Sequence, residues 1–121
     1  MDADTTLLRN RKATKIARKR LSQADSFLKK GEKEKYYEEL SRALWGYLGD
    51  KLGIPYADLT SDSAKEQMLK RGVSEDTAAT FIEMIDKCEF ARFAPGQRES
   101  EMENMYGSAV ALITKLEGSL K

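Results

Sequence analysis

Apolar residues recur every three or four positions through five separate stretches of this 121-residue chain, and a segment with that period buries a continuous face only as a helix. From 5 to 30, Ala13, Ala17, Leu21, Ala24 and Leu28 make one stripe with Ile16 and Phe27 beside it, and Gly31 follows as a stop. From 32 to 52, Tyr37, Leu40, Leu44, Leu48 and Leu52 make a stripe, and Tyr36, Ala43 and Tyr47 add a second. Around Ala43–Leu48 this segment is apolar nearly all round, which predicts the central helix of a bundle. Gly46 and Gly49 are poor helix formers inside that pattern, so they predict close approach of a neighbouring helix.

Two shorter stops divide the remainder. Ser63 and Glu66 have the spacing of a capping box and predict a short helix over 63–71, with Ala64, Met68 and Leu69 inward and Gly72 as its end. Ser74 predicts the cap of a helix over 74–93, whose stripe of Ala78, Phe81, Ile82 and Ile85 is expected to run on toward Phe90 and Phe93 before Ala94-Pro95-Gly96 breaks it. Ser100 and Glu103 suggest a second capping box, for a helix over 100–117 bearing Met102, Met105, Tyr106, Ala109, Leu112, Ile113 and Leu116. With only two Pro in the chain, the expected fold class is all-α: a compact bundle of about five helices, largely antiparallel, without strands, in a single domain over 1–121.

Composition narrows the chemistry. The absence of His removes His-based acid–base catalysis, Ser-His-Asp and Cys-His arrangements, and most zinc and haem sites. A lone Cys88 makes neither an internal disulfide nor a thiolate cluster, and points to a reducing compartment. The carboxylates at Glu38-Glu39, Glu75-Asp76 and Glu99/Glu101/Glu103 suit solvated or capping positions, and no glycine loop has phosphate-cradling spacing. The expectation is a non-catalytic chain with no cofactor and no metal. No apolar run reaches the ~20 residues of a membrane span and the opening Met1-Asp2-Ala3-Asp4 is no signal peptide, so the chain as given is expected to be soluble.

Charge is nearly balanced overall, at 21 basic and 20 acidic residues, yet it is unevenly placed. Residues 1–30 carry a net of +6 and residues 31–121 a net of −5. Between 9 and 20 there are seven basic residues and no acid. Arg11, Lys12, Lys15, Arg18 and Lys19 fall on an arc opposite the apolar stripe, making them the candidate partner-facing or membrane-facing surface, with Arg9 and Arg20 at its flanks. Such an arc is a solvated helix face, a contact for anionic lipid at ~1 kcal/mol per basic residue, or a dock onto the acidic remainder of the same chain. Nucleic-acid binding through 9–20 is an alternative, opposed by the near-neutral total. The helix-turn-helix look of 58–76 does not rescue it, because that segment holds three basic residues against five acidic ones.

The other conspicuous side chains fit structural roles. Trp45 with Tyr36, Tyr37 and Tyr47 reads as core on a central helix. Arg92, between Phe90 and Phe93, suits an aromatic stack or a carboxylate partner, and Cys88 suits a small buried hydrophobe.

Three segments together, YYEELSRALWGYLGDKLGIP at 36–55, KRGVSEDTAATFIEMIDKCEFARFAPG at 70–96 and MENMYGSAVALITKLE at 102–117, resemble the C-terminal cytoplasmic domain of BatD-like membrane proteins of the Bacteroides aerotolerance operon. The pairing of ALWGYL with CEFARFAPG is the specific part, and the resemblance runs from about residue 9 to 117. It implies a small helical domain on the cytoplasmic side of the inner membrane, following a membrane span in a longer protein, with residues 9–20 just inside the bilayer. It also implies partners from the same operon, namely a MoxR-type ATPase and von Willebrand A-domain proteins. It supplies no catalytic residues.

Overall fold

Short helices are marginal in water until one face is buried, and the five stripes provide five such faces. The structure, a computed structural model, describes residues 3–94 and 99–120, with the side chains of 12–94 and 100–120. Among these residues it is a bundle of five α-helices: α1 (Ala3–Lys30), α2 (Lys33–Leu52), α3 (Ser61–Lys70), α4 (Glu75–Phe93) and α5 (Glu99–Ser119), with one 3-10 turn at Tyr56–Asp58. Among the described residues there is no strand.

α1 and α2 form a helical hairpin across a two-residue connection. Gly31 makes it possible with φ of 74°, a left-handed conformation that costs a side-chain-bearing residue more, and Glu32 N–H then donates back to the Phe27 carbonyl at 3.0 Å. α2 packs against α1, α4 and α5 and is the central rod, as its all-round apolarity predicts. Tyr36, Leu40, Ala43, Leu44 and Leu48 are fully buried in it. Helix ends meet specific partners: the Lys33 ammonium donates to the Ala94 carbonyl just past α4, and Arg71 donates to the Leu52 carbonyl at 3.3 Å.

Several local expectations are corrected. α3 starts two residues earlier than predicted because Thr60 supplies the capping hydroxyl: Thr60 Oγ1 accepts from Ser63 N–H at 3.1 Å and Ser63 Oγ accepts from Thr60 N–H at 3.0 Å, so Ser63 and Glu66 do not form the box. α5 starts at Glu99, which places Ser100 within the helix and not at its cap. Leu69 is 42% exposed, since the buried register of α3 is Ala64 and Met68. In α4 the buried register continues from Ile85 to Cys88 and Ala91, leaving Phe90 and Phe93 in solvent at 75% and 67% exposed. Ser74 does cap α4, accepting from Thr77 N–H at 3.2 Å. Pro95 and Gly96 lie outside the described residues, and Ala94 is already extended.

Gly46 and Gly49 answer to different neighbours. A Cβ at Gly46 would meet the mobile guanidinium end of Arg20 from α1. A Cβ at Gly49 would stand 2.9 Å from the Ile54 carbonyl oxygen and 3.3 Å from Leu59 Cδ1, where the chain folds back after α2. Gly49→Ala is therefore expected to cost about 1 to 3 kcal/mol, overriding the ~1 kcal/mol helix-propensity gain, whereas Gly46→Ala stays near neutral because Arg20 can swing aside. Urea unfolding of the two variants checks this, and a stabilised Gly49→Ala would contradict the close approach.

Candidate functional site

Among the described side chains of α1, Ala13, Ala17, Leu21, Ala24 and Leu28 are the buried ones, and the opposite side of the helix faces solvent. Lys12, Lys15, Arg18 and Lys19 stand there, all exposed. Among the described residues none of these four makes an ion pair or a hydrogen bond, while Lys29 nearby pairs with Asp25 at 3.1 Å. Arg11 belongs to α1, but its side chain lies outside the described residues. Arg20 has turned inward at the flank and donates to the Arg42 carbonyl at 3.3 Å. α1 thus packs on its own chain through its apolar stripe, with polar contacts from Thr14 and Arg20, while the four described arc residues take no part.

Arg18 also marks the edge of a groove of about 350 Å3 between α1 and α5. Leu21 and Ile113 lie deep in it, and Val110 and Thr114 form the α5 side. A second cleft of about 390 Å3 separates α4 from α5, with Asp76, Glu83, Lys87 and Lys115 around it. These mixed charges at its mouth leave it without a charge preference.

One cluster was not anticipated from the sequence. Glu117 of α5 accepts from Thr14 Oγ1 of α1 at 2.5 Å and from Tyr47 Oη of α2 at 2.5 Å, and pairs with the Lys51 ammonium of α2 at 3.2 Å. Lys51 is 6% exposed and the Glu117 side chain 41%, so the carboxylate bridges the core to solvent. Burial alone would raise the Glu117 pKa, but the hydrogen bonds from Thr14, Tyr47 and Lys51 and the Lys51 charge together hold it below its ordinary 4.5. Burial, then the bond to Glu117, pushes the Tyr47 hydroxyl well above the usual phenol range. The signal was present in the periodicity: Lys51 falls in register with Tyr47 and Leu48, and Glu117 with Ile113, so each stripe carries one charge of opposite sign. The cluster joins three helices and is a structural clasp.

The remaining candidates are structural as well. Tyr36 Oη donates to the Met102 carbonyl at 2.5 Å, linking α2 to α5, and its ring meets Tyr37 edge-on at 4.9 Å. Trp45 is half-buried and packs edge-on against Phe81 at 5.9 Å. Arg92 does both things its neighbours suggest, pairing with Glu38 at 2.7 Å and lying over the Phe93 ring at 4.9 Å, although its buried Nε has no acceptor among the described residues. Cys88 is buried, and burial, followed by the nearby Glu89, pushes its thiol up to about 12, far from the reactive range. In 58–76 a helix, turn and helix do form, with Asp58, Asp62, Glu66, Glu75 and Asp76 all exposed.

Among the described residues no helix is long and apolar enough to cross a membrane, and no group of three or more His, Cys, Asp or Glu is placed to hold a metal ion. No protein-family model, curated protein or solved structure matches the chain.

Proposed function

We propose that this bundle is a non-catalytic interaction module that docks proteins next to an anionic membrane surface, with α1 as its cationic face. The observation that carries the reading is that Lys12, Lys15, Arg18 and Lys19 are exposed together and make no ion pair among the described residues. Four cations held on a rigid rod without an ion pair among the described residues are attracted to a negative surface within a Debye length of about 8 to 10 Å. The resemblance to the cytoplasmic domain of BatD-like proteins suggests the setting: the cytoplasmic side of an inner membrane, with a MoxR-type ATPase or von Willebrand A-domain proteins as the docked partners.

Flotation with phosphatidylglycerol-containing vesicles tests the lipid half. Replacing Lys12, Lys15, Arg18 and Lys19 by Gln should weaken binding on the order of a hundredfold or more, at ~1 kcal/mol per charge. Undiminished flotation of that variant would overturn the assignment of the face. Pull-down with the wild-type bundle against the ATPase and A-domain proteins tests the partner half, with specific enrichment expected and its absence counting against it.

A further inference from the structure

α4 buries Ala78, Phe81, Ile85, Cys88 and Ala91 and turns the other half of its surface outward. The outward side carries Asp76, Glu83 and Asp86 and then Phe90 and Phe93, all exposed. These positions are seven, three, four and three apart, so the carboxylates and the two rings share one face, with Lys87 at its edge. None of the three carboxylates has an ion-pair partner among the described residues. Arg92 covers part of the Phe93 ring but is itself held by Glu38. Two large aromatics beside each other in solvent mark an interaction surface more than scattered exposed apolar residues do.

α1 and α5 present the complement. Arg18 stands at the rim of the groove of about 350 Å3, whose apolar lining is Leu21, Val110 and Ile113, with Val110 40% exposed; from Arg18 the arc of Lys15, Lys19 and Lys12 continues around α1 away from the groove, without an ion pair among the described residues. An acidic helix carrying exposed phenyl rings matches this surface in both charge and polarity. The chain itself holds such a helix, and at a net charge of +1 two copies meet without strong overall repulsion.

We infer that the outer face of α4 in one copy docks on the α1–α5 face of a second copy, carboxylates against the cationic arc and Phe90 and Phe93 into the groove. The two faces are different surfaces, so the contact is heterologous: the pair retains one unused face of each kind, one on each copy, and assembly grows into rings or open chains. The inference rests on the same cationic arc as the proposed function, but it needs no membrane, and lipid would compete with it.

Sedimentation of the full chain without lipid tests it. At about 0.05 M salt the average mass should climb with concentration past twice the 13.7 kDa of one chain, and at about 1 M salt, where the Debye length shrinks to ~3 Å, it should fall back toward one. Two variants with unchanged helical circular dichroism refine the result. One carries Lys12→Gln, Lys15→Gln, Arg18→Gln and Lys19→Gln; the other carries Glu83→Gln, Asp86→Asn, Phe90→Gln and Phe93→Gln. Each alone should associate at least about tenfold more weakly, and an equimolar mixture should form a one-to-one pair that grows no further, because each supplies the face the other lacks. A wild-type chain that stays at the mass of one copy up to about 1 mM, or a mixture that forms no pair, overturns the inference. If that chain still floats with vesicles, the proposed function stands and the α4 face is left to a basic segment of another protein. If the chain self-associates but does not float, the lipid reading fails and this one stands.

Discussion

Glu117→Leu is expected to lower the unfolding free energy by about 3 to 4 kcal/mol, because it removes one acceptor from three donors on two other helices. Breaking a buried ion pair costs 3 to 5 kcal/mol in general, and the 41% exposure of the Glu117 side chain places this case toward the low end. Glu117→Gln keeps an oxygen for the Thr14 or Tyr47 hydroxyl and should cost about half as much. Adding Lys51→Met to Glu117→Leu should recover part of the loss, since it removes the desolvated cation as well. The pH dependence has a definite sign. A carboxyl group held below its ordinary 4.5 in the fold contributes its full stabilisation above pH 4.5, and that contribution is lost as pH falls below 4.5 through the lowered folded value. Urea titrations at neutral and acidic pH check both points: the gap between wild type and Glu117→Gln should narrow in acid. A gap that is constant with pH, or a loss under about 1 kcal/mol for Glu117→Leu, would show that the clasp does not hold the three helices together.

Phe81→Ala should cost about 3 to 5 kcal/mol, as a fully buried aromatic cut back to a methyl in a packed core leaves a cavity. Its partner makes the effect visible. Trp45 is the single tryptophan of the chain and packs edge-on against the Phe81 ring, so the native emission should shift to the red as its surroundings loosen. Unfolding followed by circular dichroism gives the cost, and native-state fluorescence gives the local change. A cost under about 1.5 kcal/mol with unchanged emission would contradict the central placement of this contact.

Most of the bundle was legible because helix packing follows register, and register is written in spacing. The stripes of α1, α2 and α5 are buried as their periods require, and the glycine stops at Gly31 and Gly72 both adopt positive φ. In α4, register outweighs residue size. Phe90 and Phe93 are large and apolar, but the face begun by Phe81 and Ile85 continues through the smaller Cys88 and Ala91. The Thr60–Ser63 box lacks the usual acidic partner because two hydroxyls can cap each other's backbone as a hydroxyl and a carboxylate do. The Glu117 clasp is hidden by abundance: with 20 acids and 21 bases, a single carboxylate differs from the rest only by its place in the stripe it interrupts. Four residues of the cationic arc, Lys12, Lys15, Arg18 and Lys19, are exposed as their spacing requires, since a helix face free of apolar residues has no place in the core, but whether their charges are matched by the rest of the chain is a question of tertiary structure.

That last point has a direct measurement, the unfolding free energy of the chain in which Lys12, Lys15, Arg18 and Lys19 are all Gln. If the arc is held for something outside the molecule, its neutralisation breaks no internal contact and relieves the like-charge pairs at Lys12–Lys15, Lys15–Arg18 and Lys15–Lys19, so stability should stay level or rise by a few tenths of a kcal/mol per pair. A loss of more than about 1 kcal/mol would mean that the bundle uses these cations to hold itself together, and the arc would then not be free to bind a partner.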